Sequence, residues 1–424
     1  MTQSEHITVI GAGAAGLMAA RELAAAGRRV TILEARGRCG GRIYPLRASE
    51  FGYAAEGGAE FIHGEAPVTH AVLREAGLRL QTIEGQRWTF EGGTLSRRAP
   101  EEAHHFELQA ALHSLTQDMS VAEFLARQFA GRDYDRLRRF VERMVEGYDA
   151  ADPARASILA LREEWMGTGR SKQARIVGGY GALIDFLAAE CRKRGVALQF
   201  GAVVTAIETA AGGMRVRCAD GSSLDCGMVV VTIPVPVVKE IALPPAECER
   251  VHAADIGFGN VIKLLLRFET RWWLEGRKDL ADLTFLLSSE TIPVWWTQQP
   301  DDLPVLTGWF GGPKTTGLGH LGEQELIEAG LVSLADIFGV LVTQLKRQLV
   351  AARAINWAHD PYARGAYSYA TTETRAAQSR LARDDGGAIF FSGEALYRGP
   401  DMGTVEAALA NGQETARVVL RRTE

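Results

Sequence analysis

Cysteine is scarce: five in 424 residues, namely Cys39, Cys191, Cys218, Cys226 and Cys248. Their number is odd and no two of them form a CxxC pair, so neither a disulfide framework nor a zinc site is expected, and a reducing, cytoplasmic compartment fits. An excess of one charge is missing as well. The 47 Lys and Arg against 52 Asp and Glu leave a formal net charge of −5. With no long basic or acidic run, there is no electrostatic footprint for nucleic acid. Long hydrophobic runs are also lacking. The stretch 228–238 is broken by prolines and is too short to span a bilayer. The first six residues carry neither the basic nor the apolar part of a signal peptide, and the chain ends on Leu420-Arg421-Arg422-Thr423-Glu424 rather than on an apolar tail. These absences lead to an expectation of a soluble cytoplasmic protein with no membrane, nucleic-acid or metal partner.

What is present is enough chain for two domains, since one core rarely grows to this length. Residues 6–10 read as a buried strand, 14–26 as an Ala-rich helix and 29–33 as a second strand. Residues 65–167 read as mostly helical, with amphipathic periodicity over 106–115 and 134–145. A Gly-Gly turn and a helix follow over 175–190. Strands are expected at 197–207, 214–218 and 223–232, punctuated by Gly212-Gly213 and Asp220-Gly221. Residues 261–268, 283–287, 293–298 and 305–310 read as strands of a second sheet. Helix is expected at 324–338 and 404–421, with a strand at 388–392 before the latter. The fold class is therefore mixed α/β: a Rossmann-type nucleotide-binding domain interleaved with a substrate domain built on a second mixed sheet plus a helical insertion. The expected partition is 1–64, 168–240 and 353–424 for the former, and 65–167 and 241–352 for the latter.

Chemistry begins at Gly11-x-Gly13-x-x-Gly16, between the first strand and helix. Gly11 allows the tight turn, Gly13 admits a pyrophosphate close to the backbone, and Gly16 lets helix and strand pack. The helix N-terminus, starting at Ala14 and Ala15, offers free N–H groups and partial positive charge to the phosphates. Glu34 closes the second strand where a carboxylate can accept ribose hydroxyls, which suits an unphosphorylated ribose. Ala35-Arg36-Gly37-Arg38-Cys39-Gly40-Gly41-Arg42 then adds glycines that open the backbone beside a long cofactor, and arginines that can neutralise a diphosphate.

Residues 9–42 resemble the start of the FAD-dependent amine oxidases, which include monoamine oxidases, polyamine oxidases and lysine-specific histone demethylases. Gly57-Gly58-Ala59-Glu60-Phe61-Ile62-His63-Gly64 resembles the Gly-Ala-x-Trp-Ile-His-Gly stretch of polyamine oxidases, with Phe61 in place of the tryptophan. Gly259-Asn260-Val261-Ile262-Lys263 resembles the strand that carries the family's active-site lysine, which holds a water at flavin N5. By alternation Lys263 shares a face with Val261 and Leu265. The segment from Trp357 to Tyr369 resembles the polyamine oxidase and demethylase version of this region. Ala366 takes the place of the cysteine that bonds the flavin in monoamine oxidases, so the resemblance implies non-covalent FAD. Tyr367 matches the first tyrosine of their aromatic sandwich, and Thr404 stands where the second would be. Phe391-Ser392-Gly393-Glu394 and residues 402–412 resemble the last two flavin-binding segments.

The resemblance thus implies Lys263, Tyr367 and Thr404 as catalytic-site residues. It implies FAD contacts from Gly11, Gly13, Ala14, Ala15, Gly16, Glu34, Ala35, Arg36, Gly41, Arg42, Gly58, Ala59, Glu60, Val204, Trp357, Gly393, Glu394, Thr404 and Val405. Glu60 and His63 are candidates for polar substrate contacts. The implied reaction is oxidation of a primary or secondary amine, polyamine-like in one version, to an imine with dioxygen as acceptor. Three other readings stay open: an L-amino-acid oxidase, against which Phe61 stands where an arginine would be needed; a flavin desaturase; and a non-catalytic FAD-binding protein. The long tower insertion of the demethylases is not found, and histone demethylation is not expected.

Overall fold

A computed structural model describes residues 6–97, 104–166, 173–382 and 386–423. The readings that rest on the first five residues, on the boundary at 167/168 and on Glu424 lie outside them. His6–Ile10 is buried along its whole length and sits at the centre of a parallel sheet. The sheet runs Ile389–Phe391, Met228–Val231, His6–Ile10, Arg29–Glu34, Ala197–Phe200. Apolar, β-branched strands such as Met228–Val231 are what a parallel sheet covered on both faces requires. One face packs on the helices Ala14–Ala25, Gly179–Lys193 and Val405–Thr423 through Ile7, Val9, Leu17, Ile32, Leu187 and Leu409. Small residues set that approach: a Cβ on Gly412 would lie 2.4 Å from the Ala15 carbonyl oxygen. The other face packs Ile10, Leu33, Val229, Val231 and Phe391 towards an antiparallel sheet of Val204–Ala210, Gly213–Cys218 and Ser223–Cys226.

A seven-stranded sheet forms the second layer, in the order Leu349–Asn356, Val261–Phe268, Val305–Gly311, Val294–Trp296, Leu283–Ser288, Gln86–Glu91, Thr94–Ser96. The helix Glu323–Phe338 covers one face through Leu331 and Leu334, against Leu264, Leu266 and Trp295. The strand Leu349–Asn356 runs across the 352/353 boundary.

Two expectations need correction. Residues 65–167 hold the helices His105–His113, Val121–Gln128, Asp135–Gly147 and Ile158–Met166, but also the hairpin Gln86–Glu91/Thr94–Ser96. That hairpin alternates buried Trp88 and Phe90 with more exposed neighbours and turns on Gly92 and Gly93, both at positive φ. This is period-two patterning with a hairpin turn, and a helix-wide reading averages it away. The single strands expected at 197–207 and 223–232 are each two strands in different sheets, parted at Gly201 and Gly227 respectively. At Gly201 the chain takes a φ of 71°, a left-handed turn that glycine permits cheaply. Among the described residues no single helix is long and apolar enough to cross a membrane.

Candidate active site

The C-terminal ends of the parallel strands converge, which is where open α/β sheets take ligands. His6–Ile10 ends on Gly11, at φ 100°. A Cβ on Gly16 would stand 2.0 Å from the Gly11 carbonyl oxygen, so helix and strand meet only because glycine is there; a Cβ on Gly13 would find open space out to 4.0 Å. The N-terminal turn of the helix, with Ala14 and Ala15, is thus left accessible to a phosphate group. Glu34 is buried, and its carboxylate accepts the N–H of Ala12 at 2.7 Å and of Arg36, next to Ala35, at 2.8 Å. Arg36 pairs with Asp360 and stacks over Tyr362. Gly40 and Gly41, both at positive φ, bring the chain back beside the Gly13 turn. Arg42 pairs with Glu394 at 2.6 Å and donates to the Ala366 carbonyl at 2.9 Å, and Glu394 also accepts from Ser368. A cavity opens between Arg42, Thr232, Pro234, Val235, Gly393 and Glu394. Val204 starts its strand just after Ala202, whose N–H bonds the Glu34 carbonyl. A phosphate-accessible helix start, arginines and glycine-lined backbone as donors, with a buried carboxylate as acceptor, are the groups that an FAD dinucleotide requires.

Lys263 lies in Val261–Phe268, a strand buried on both faces. Ile262, Leu264 and Leu266 point into the core of the second sheet, while Val261 and Leu265 join clusters on the opposite side. Lys263 therefore faces the cofactor domain, and it has no solvent exposure. A buried ammonium requires acceptors. It donates to the Gly58 carbonyl at 3.0 Å and to Glu60 Oε2 at 2.8 Å. Gly58 is wedged: a Cβ there would stand 1.8 Å from the Arg42 carbonyl oxygen. Ala59 follows, its N–H directed at that same oxygen at 3.3 Å. Glu60 Oε1 accepts from Arg175 Nε at 2.9 Å, Trp296 Nε1 at 3.0 Å and Gln298 Nε2 at 3.3 Å. Burial alone would raise the Glu60 pKa. The charges of Lys263 and Arg175 and the bonds from Lys263 and Trp296 outweigh it and bring the pKa down to about 2.

Strand register builds an aromatic wall around Lys263. Trp309 lies directly across from Lys263, and Trp296 from Phe285. Ring contacts run from Phe285 to Phe61, Trp296, Trp309 and Tyr367, the last two stacked at 6.4 Å. Tyr367 donates to the Tyr148 carbonyl at 2.6 Å. Burial, then the charge of Asp149, raises its pKa well above the usual tyrosine range. His63 Nδ1 lies 3.0 Å from the Tyr148 hydroxyl and 3.3 Å from Gln173 Nε2. Thr404 donates to the Asp401 carbonyl at 2.6 Å and accepts from Ala407 N–H at 3.1 Å, so its hydroxyl caps the final helix ahead of Val405. Trp357 is buried edge-on to Tyr44, its Nε1 donating to the Gly57 carbonyl at 3.3 Å.

The sequence profile of the family described as "Flavin containing amine oxidoreductase" matches residues 14–420. The chain belongs to this family. Among curated relatives, human "Lysine-specific histone demethylase 2" is 23% identical over 98% of this chain and 53% of its own length. "Lysine-specific histone demethylase 1 homolog 3" of Arabidopsis thaliana is 26% identical over 98% of this chain and 30% of its own length. The chain thus spans about half the length, or less, of these relatives. Horse "Amine oxidase [flavin-containing] A" is 24% identical over 98% of this chain and 84% of its own. Putrescine oxidase bound to putrescine superimposes with a TM-score of 0.79 at 19% identity, covering 98% of this chain and 99% of that one. Cyclohexylamine oxidase from Brevibacterium oxydans gives 0.79 at 21%, covering 99% of each. These two likenesses establish the fold.

Within the family's fold the candidate residues fall into three groups. Lys263, Glu60, Tyr367 and His63 come together at the wall. Gly11 to Gly16, Glu34 to Arg42, Gly58, Gly393 and Glu394 line the strand ends. Thr404 and Trp357 hold the backbone around them. Sequence reasoning missed Arg175, Trp296, Trp309, Gln298 and Tyr148. The alternation in Trp295-Trp296, one ring fully buried and the other facing Lys263, was the signal available for the wall.

Proposed function

We propose that the chain is an FAD-dependent amine oxidase that converts a primary or secondary amine to its imine. A flavin held there non-covalently would supply the acceptor for a hydride from the carbon next to nitrogen, with dioxygen as the final acceptor giving hydrogen peroxide. One observation carries this reading: a fully buried lysine that faces Gly58 and Glu60 from inside an aromatic wall. Arg42, Arg36 and the helix start at Ala14 would bind the diphosphate, and Glu34 the ribose. Ala366 has no thiol with which to tether the ring. The faces of Tyr367 and Trp309 attract and orient the amine, since aromatic faces favour cationic and amine groups. The surrounding apolar side chains keep bulk water from the reacting carbon.

The wall also guides substrate choice. Glu60 is committed to Lys263 and Arg175 and cannot serve as a free anion for a second ammonium. We therefore favour an amine with an apolar substituent over a polyamine. Recognition of an amino-acid carboxylate finds little support: Arg175, stacked on Phe61, already bonds Glu60, Thr297 O and Gln299 O. Five free thiols support placing the protein in the cytoplasm.

The test is a peroxide-detecting panel of benzylamine, cyclohexylamine, putrescine, spermidine and L-amino acids with the flavin-loaded protein. Peroxide from the apolar monoamines above all others is expected. Peroxide from amino acids alone would replace the reading by the amino-acid oxidase one, and none from any amine would remove it.

A further inference from the structure

We propose that Glu60 is a positioning residue that keeps Lys263 in the ammonium form and aims its remaining N–H at the cofactor side of the site. This rests on the amine-oxidase reading for its purpose but not for its test. A lysine ammonium has three donors. Among the described residues two of them have acceptors, Glu60 Oε2 and the Gly58 carbonyl, and the Trp296 ring lies 5.4 Å from Nζ. Two fixed bonds at one nitrogen determine the direction of the third N–H. Glu60 is itself fixed, because Arg175, Trp296 and Gln298 hold its other oxygen from two different strands and a neighbouring loop. Its side chain is 7% exposed and that of Lys263 is 1%, so neither is free to turn towards solvent.

The same contacts decide the protonation state. A buried ammonium is favourable only beside an acceptor that carries the opposite charge. Among the described residues, Glu60 and Glu56 act directly on Lys263, and Arg175 and Tyr53 join the same cluster through these carboxylates. Arg175 repels a charge on Lys263, so the carboxylates must hold the proton. Glu60 is the one in direct contact, and its low pKa keeps it ionised throughout the neutral range. Glu60 thus makes Lys263 a fixed donor rather than a base.

The experiment titrates the visible absorbance of the bound flavin against pH in the Glu56→Gln background, which removes the one other carboxyl in the cluster that titrates near neutrality. Adding Glu60→Gln should introduce a single-proton step that its parent lacks, and adding Lys263→Met as well should abolish it. A Glu60→Gln titration that overlays its parent would overturn the proposal. Should the Gln variant fail to hold flavin, Glu60→Asp keeps the charge but shortens the reach. It should show no new step, together with flavin reduction by amine at least tenfold slower. A new step, or an unchanged rate, would contradict the proposal. Because the titration needs no turnover, a protein that oxidises no amine leaves this result readable, and the two claims can fail separately.

Discussion

Glu56 precedes the Gly57-Gly58 pair with its carboxyl buried. Oε1 accepts the Gly181 N–H at 3.4 Å, while Oε2 has no partner among the described residues. Burial is the largest influence on it and raises its pKa to about 7; the charge of Lys263 and the N–H groups of Gly181 and Tyr180 lower it only in part. An unfolded glutamate titrates near about 4.3. Between these values the folded chain holds a proton that the unfolded chain has released, so stability falls as pH rises through this window. Such a difference corresponds to a loss on the order of 3 kcal/mol by the top of the window. Glu60 has the opposite sign: its low folded pKa gives stability that is present above the unfolded value and is lost as pH falls towards about 2. Glu56→Gln should therefore gain on the wild type in denaturant-unfolding free energy as pH rises from about 5 to 8. A difference that stays constant over that range would show that Glu56 is ionised and paired in a way the structure does not have.

The final helix Val405–Thr423 does more than cover the parallel sheet. In its first turn, Glu406 reaches across to the start of Pro67–Ala76 and accepts from Val68 N–H at 3.0 Å, Thr69 N–H at 2.7 Å and Thr69 Oγ1 at 2.6 Å. It is a helix cap supplied by another helix, and hydrogen bonds to a charged group contribute about 1.5–3 kcal/mol each. Glu406→Ala should lower the unfolding free energy by about 3 kcal/mol or more, read from denaturant melts of the flavin-loaded protein. A loss under about 0.5 kcal/mol, the usual range for an uninvolved surface position, would deny it that role. Elements whose signals are local were legible in the sequence. The strand, Gly11–Gly16 turn, helix and second strand ending on Glu34 lie in one short stretch, and Lys263 stood out as a cation in an apolar run. What Lys263 and Glu60 bind was not legible. Arg175 is 115 residues from Glu60 and Trp296 is 236; pairing of Gln173–Ile176 with Ile62–His63 brings the first to Glu60, and the register of the seven-stranded sheet brings the second. Thr404 is a different case: its partners Asp401 and Ala407 are each three residues away, so a threonine just ahead of the final helix could have been read locally as its cap.

At the scale of the molecule, two sheets meet at one seam. The parallel sheet presents its strand ends and glycine turns, the seven-stranded sheet presents Lys263 and the aromatic wall, and the segment Gly57 to Glu60 runs between them. The division into a nucleotide domain and a second sheet was visible in the sequence because each long strand there carries its own apolar run. The hairpin of Trp88 and Phe90 was hidden because its alternation is short and lies among helices. We propose that this seam transfers electrons from an amine to the flavin with Lys263 at the point of contact. Anaerobic stopped-flow measures this directly: wild type and Lys263→Met, matched for flavin content and melting behaviour, are mixed with the best amine of the panel while the visible flavin absorbance is followed. The wild type should bleach fully, and admitted oxygen should restore the colour with release of peroxide. The variant should keep its flavin yet bleach or recover at least tenfold more slowly. If the amine leaves the wild-type flavin oxidised, or if both steps in Lys263→Met match the wild type within about a factor of two, as an uninvolved position would allow, the claim is contradicted.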